Sequence, residues 1–169
     1  MRDIKEVFVE DAEVIAHLIR EANKPVAKEF GITPDNCPKH PSCCEKRWVE
    51  ADFKRGERYF MLTENTLPVA CVAYETKTMA SEKAGANKAY LNRLSVLPEH
   101  QNKGLGLALA QYIIELARLD AINMISMGII AKHSKLLNWY EKMGFIQCGT
   151  KHFEHLPFSV TYMNYTLRN

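Results

Sequence analysis

Leu94-Ser95-Val96-Leu97-Pro98-Glu99-His100-Gln101-Asn102-Lys103-Gly104-Leu105-Gly106 changes character along its length. Its first part continues a strand-forming run from Tyr90 to Leu97 that Pro98 closes. From Gly104 to Leu119, the residues Leu105, Leu109, Ile113 and Leu116 recur at helical spacing. The segment therefore reads as strand, loop and helix in succession. Gly104 and Gly106 fall in the first turn of that helix, where unpaired amides and the positive end of the helix dipole collect. Glycine lowers the barrier to unusual φ and lets a ligand approach the backbone, and Lys103 adds a positive charge. The local chemistry suits a phosphate; a tight turn with a solvated Lys103 is the alternative that spacing leaves open. Neither the G-x-G-x-x-G dinucleotide pattern nor the G-x-x-x-x-G-K-[ST] loop fits, which sets NAD and ATP aside.

Upstream, Ile4 to Val9 reads as a strand, and Val14, Ile15, Leu18, Ile19, Ala22 and Val26 mark one face of a helix. Pro34, Pro38 and Pro41 make Gly31 to Cys44 a loop, and a short helix is expected from Glu45 to Lys54. Tyr59 to Thr63 and Pro68 to Thr76 form a hairpin around Glu64-Asn65-Thr66-Leu67, followed by a polar connector from Lys77 to Asn87. Downstream come a strand over Met124 to Ala131 and a helix over Ser134 to Met143 that Gly144 ends. Two strands near Phe145 to Gly149 and Phe158 to Leu167 complete the chain. Strands that precede, interleave with and follow helices predict a mixed α/β fold of the α+β kind, its central sheet covered by helices.

The chain of 169 residues, 47% hydrophobic and 25% charged, has the balance of one globular domain over 1–169. Its formal charge of +2 is spread without a basic block, which argues against nucleic acid and anionic membrane as partners. No apolar run reaches the ~20 residues of a membrane span, and the N-terminus lacks a signal-peptide pattern, so a cytoplasmic location is expected. Five cysteines, an odd number, fit reduced thiols better than a disulfide framework.

The Leu94 to Gly106 segment resembles motif A of the GNAT superfamily of N-acetyltransferases, L-x-V-x-P followed by [QR]-x-x-G-x-[GA]. A second segment, Leu137-Asn138-Trp139-Tyr140-Glu141-Lys142-Met143-Gly144-Phe145, is similar to that family's Y-E-K-x-G-F motif. The resemblance implies a mostly antiparallel central sheet splayed between its fourth and fifth strands, flanked by about four helices, with the pantetheine arm of acetyl-CoA or a related acyl-CoA in the gap. It implies acetyl transfer to a primary amine, from a small molecule or a peptide, and leaves a homodimer open. Leu94 and Val96 would bond the pantetheine arm through their backbone. Gln101, Asn102, Lys103, Gly104, Leu105 and Gly106 would hold the pyrophosphate through main-chain amides, Lys103 partly replacing the charge of the arginine that many members carry at the Gln101 position.

An amine with pKa ~10.4 is mostly protonated at neutral pH, so acylation needs a base or a water relay. Tyr140 stands at the place of the family's tyrosine acid, able to protonate the departing thiolate; without the resemblance it would read as a core aromatic. Many relatives carry a carboxylate on the motif A strand, whereas this chain has Tyr90, Leu91, Asn92 and Arg93 there, so the base stays unassigned. Tyr90 or Asn92 could order a relay water. The missing carboxylate motivates an alternative, a catalytically silent acyl-CoA-binding domain. His133 replaces an asparagine that bonds the cofactor in relatives and could donate the same bond or simply start the helix. Cys37, His40, Cys43 and Cys44 offer soft ligands but lack a paired C-x-x-C module, so no metal is expected and a zinc-stabilised interaction module is the third reading. The loop that holds them would form a wall of the acceptor pocket, to which Trp48 and Phe53 could contribute; the role expected for the two aromatics is to pack the second helix onto the core.

Overall fold

A computed structural model describes residues 1–78 and 87–167. Its strands are β1 (Arg2–Val7), β2 (Arg58–Glu64), β3 (Leu67–Thr78), β4 (Asn87–Val96), β5 (Met124–Ile130), β6 (Ile146–His152) and β7 (Ser159–Thr166). The helices are α1 (Ala12–Glu29), α2 (Lys46–Lys54), α3 (Leu105–Leu119) and α4 (Ser134–Met143). The strands form one seven-stranded sheet in the order β1-β2-β3-β4-β5-β7-β6. β1/β2, β2/β3, β5/β7 and β6/β7 are antiparallel, whereas β4/β5 is parallel. That parallel pairing joins Lys88, Ala89 and Tyr90 to Met124, Ile125 and Ser126 and ends there, as expected for a sheet that opens between its fourth and fifth strands.

The chain gathers into two compact units, Met1–Glu75 with Leu91–Ile113, and Thr76–Tyr90 with Ile114–Asn169. In the first, Ile15, Leu18 and Ile19 of α1 and Val49 of α2 bury against Tyr59 and Met61 of β2 and Cys71 and Ala73 of β3. Each such aliphatic side chain taken from water contributes about 1.5–3 kcal/mol. Trp48 and Phe53 pack on the same cluster, the role expected for them. The apolar face of α1 is rotated from the predicted stripe: Ala12 and Ala16 are buried while Val14 is exposed. β1 stops at Val7 rather than Val9, because a 3-10 turn over Val9–Asp11 follows, with Phe8 N donating to Asp11 Oδ2. The β2/β3 hairpin turns through Asn65 (φ 48°) and Thr66 (φ 71°), two successive left-handed residues of the sort that match strand twist.

In the second unit, α4 ends at Gly144 with φ 107°, the left-handed cap that the sequence predicts. Phe145 enters the core, so β6 starts one residue later than expected and runs on to His152 along the sheet edge. Of the polar connector, Lys77 lies in β3 and Asn87 in β4, and residues 79–86 lie outside the described residues. Among the described residues no helix is long and apolar enough to cross a membrane.

Candidate active site

Beyond β4, the chain turns through a 3-10 turn at Pro98–His100 and then through Asn102 (φ 59°) and Gly104 (φ 81°). Two left-handed residues separated by one ordinary residue curl the backbone so that successive N–H groups face one concavity, the geometry of an anion-binding nest. Helical bonding starts with Ala108 N donating to Gly104 O at 3.0 Å, which leaves the preceding amides without a helical acceptor. A Cβ at position 104 would meet nothing within 4 Å, so glycine is needed there for its φ and not for space. Gly106, in contrast, lies inside the first turn of α3.

The side chains of the loop are turned onto the loop itself. Gln101 Nε2 donates to Val96 O at 3.0 Å, and Lys103 Nζ donates to Glu99 O at 2.9 Å. The Lys103 charge thus tightens the turn in this structure, which leaves any anion-binding character to the main chain. A brace that the sequence did not suggest comes from β1 and β2: Arg2 donates through Nη2 to Lys103 O (3.2 Å) and through Nε to Glu64 (3.1 Å). Glu64 also meets His100 Nδ1 at 3.0 Å. Hydrogen bonds from His100 and then Arg2 hold the Glu64 carboxyl below its ordinary pKa.

On β4 itself the decisive residue is Arg93, left-handed at φ 52° in the middle of a strand. Its guanidinium Nε donates to Asp52 Oδ2 at 2.9 Å, and Asp52, only 1% exposed, also accepts from the Tyr59 hydroxyl and from Arg55. Ser95 Oγ donates to Arg93 O at 3.0 Å and receives Asn23 Nδ2 at 3.4 Å. The strand that lacks a carboxylate of its own is therefore supplied with one by α2, although all its donors are cations or a phenol, which makes Asp52 an anchor and not a free base.

Glu57 lies beside this cluster, 7% exposed, with Oε1 taking Arg55 Nη2 at 3.2 Å. Its Oε2 is the only buried side-chain polar atom without a partner among the described residues. Burial first, and then the Asp52 charge, raise its pKa. A carboxyl with a raised folded pKa contributes full stability below its unfolded pKa and loses it as the pH climbs through the folded value. Glu57→Gln mimics the protonated form, so it should be near neutral in effect at about pH 4 and stabilise the protein by about 1 kcal/mol at about pH 8. Urea titrations at both pH values test this; a stability difference independent of pH would contradict it.

In the second unit, Tyr140 is 4% exposed, with its ring 4.8 Å from that of Trp139 and 5.3 Å from that of Phe145. Burial raises its pKa, which keeps the phenol protonated at neutral pH. His133 caps α4, its Nδ1 accepting from Leu136 N at 3.4 Å. In the first unit, His40 caps a turn in the same way, Nδ1 accepting from Ser42 N at 3.1 Å, and burial lowers its pKa. Cys37, Cys43 and Cys44 beside it are free thiols, Cys44 pushed up to about 11 by burial. Among the described residues no group of three His, Cys, Asp or Glu side chains is placed to hold a metal ion.

In this mixed sheet the fourth strand runs into a left-handed glycine loop and then a helix. Residues 16–145 match the sequence model of the Acetyltransferase (GNAT) family, and the chain belongs to that family. Solved structures of similar fold include the ribosomal-protein-S18-alanine N-acetyltransferase of Escherichia coli, 17% identical over 98% of this chain and 94% of that one, with a TM-score of 0.74. The PaiA N-acetyltransferase of Thermoplasma acidophilum in complex with coenzyme A is 18% identical over 99% of both chains, with a TM-score of 0.71. The yncA protein of Salmonella typhimurium with its cofactor acetyl-CoA is 16% identical over 99% of this chain and 94% of that one, with a TM-score of 0.69. At these identities the likeness is one of fold.

Proposed function

We propose that this chain is an acyl-CoA-dependent N-acyltransferase, acting as one functional domain over 1–169, that moves an acetyl group from acetyl-CoA to a primary amine. The observation that carries the reading is the left-handed pair Asn102 and Gly104 ahead of α3, which leaves main-chain amides for a pyrophosphate. The solved relatives that hold coenzyme A or acetyl-CoA support the choice of anion.

The amides from Asn102 to Gly106 hold the pyrophosphate, the Gln101 N–H of the expected set already donating to Pro98 O at 3.3 Å, and the backbone of Leu94 and Val96 bonds the pantetheine arm. Val96 O accepts from Gln101, and the Val96 N–H can stabilise the tetrahedral oxyanion. The amine nitrogen attacks the thioester carbonyl; the C–N bond forms, the C–S bond breaks, and the thiolate takes a proton from Tyr140. The amine proton leaves through water ordered by Tyr90 or Asn92, and Tyr140 is reprotonated from solvent. His133, at the start of α4, adds a bond to the cofactor.

Acetyl-CoA at 100 times its Kd should stabilise the fold by about 2.7 kcal/mol, because it binds the native state alone. The thermal midpoint should rise accordingly, and no rise at saturating acetyl-CoA or CoA would remove the cofactor assignment. Release of free CoA thiol across a panel of small-molecule and peptide amines reads the transfer itself. Binding without thiol release from any amine would favour the silent acyl-CoA-binding domain, the reading that the missing carboxylate on the motif strand motivates.

A further inference from the structure

Arg93 is a non-glycine residue in a left-handed conformation inside β4, one position before Leu94. A side chain with a Cβ does not stay there without help, and such strain persists only where the surroundings over-determine it. Here they do so from three elements of the same unit. Asp52 of α2 holds the guanidinium Nε at 2.9 Å and is itself fixed by the Tyr59 hydroxyl of β2. Ser95, braced by Asn23 of α1, bonds the carbonyl of Arg93. Backbone torsions set the direction of the peptide groups that follow, so the left-handed conformation at Arg93 helps to fix how the backbone from Leu94 to Val96 faces.

We propose that Asp52 is a positioning residue for acyl transfer: by clamping Arg93 in its left-handed conformation it sets the Leu94 to Val96 backbone for the acyl-CoA. This rests on the reading of β4 as the cofactor strand. Asp52 touches neither substrate nor reacting atoms; it acts through Arg93.

Asp52→Asn keeps the size of the side chain and weakens the clamp, whereas glycine at position 93 takes φ 52° without steric cost. Asp52→Asn is therefore expected to raise the KM for acetyl-CoA and the Kd for CoA about fivefold or more, and to lower kcat as well, because the Val96 N–H of the same segment serves the oxyanion. Arg93→Ala should do the same. Asp52→Asn combined with Arg93→Gly should recover most of the affinity, a rescue that a purely structural role would not produce. Failure of the glycine to rescue, or an unchanged KM in Asp52→Asn, would overturn the proposal. Amide hydrogen exchange of unliganded protein keeps this separate from the cofactor reading: a peptide covering Asn92 to Leu97 should exchange faster in Asp52→Asn than in wild type. Equal exchange counts against the clamp whether or not CoA binds.

Discussion

Replacing Tyr140 by Phe is expected to lower kcat by about 10²–10³-fold while leaving CoA affinity and the thermal midpoint nearly unchanged. The ring makes the packing contacts, with Trp139 at 4.8 Å and Phe145 at 5.3 Å, and phenylalanine preserves them. What the substitution removes is the proton held at the hydroxyl. Burial pushes this phenol upward from an ordinary value of about 10, so in the wild type Tyr140 remains an acid through the whole assayable range and contributes no alkaline fall in rate below about pH 10. Steady-state kinetics with acetyl-CoA and a competent amine, beside CoA titration of both proteins, provides the check. Turnover within about threefold of wild type would take Tyr140 out of the chemistry and return it to the core.

The parts of this molecule governed by local rules were legible before any coordinates. The end of α4 at Gly144, the turn at Asn65-Thr66 and the strand-loop-helix around Gly104 each depend on the φ or the periodicity of a few neighbouring residues, and each stands where the sequence places it. Side-chain partners obey no such rule. Lys103 reads naturally as a charge offered to an anion, yet it bonds the carbonyl of Glu99, while Arg2 reaches the same loop from 101 positions away. The Asp52 anchor was hidden for the same reason. Asp52 reads as one more polar residue of an amphipathic α2, and Arg93 lies 41 positions on, its left-handed backbone unannounced by any glycine or asparagine. The absence of a carboxylate from Tyr90 to Arg93 was the one available signal; it pointed to a departure in the proton path without saying what filled the place.

The same anchor predicts the largest loss of stability. Asp52→Ala removes one carboxylate and leaves three donors behind: the buried Tyr59 hydroxyl, Arg55, and Arg93, whose side chain is 22% exposed. Breaking a buried pair from one side costs about 3–5 kcal/mol, and the partial solvation of Arg93 puts the expected loss near the lower end, about 3 kcal/mol. For a chain of this size that corresponds to a fall in thermal midpoint of about 6–12 °C. A loss under about 1 kcal/mol in chemical denaturation would mean that solvent replaces the carboxylate and that the anchor is weak. Stability and positioning can then be told apart, because a buried ion pair exchanged on both sides for apolar residues often regains stability. Asp52→Leu with Arg93→Met should recover part of the lost midpoint. Methionine has no more liking for φ 52° than alanine and no carboxylate to hold it there, so the acetyl-CoA KM of this double variant should stay raised while its fold is restored.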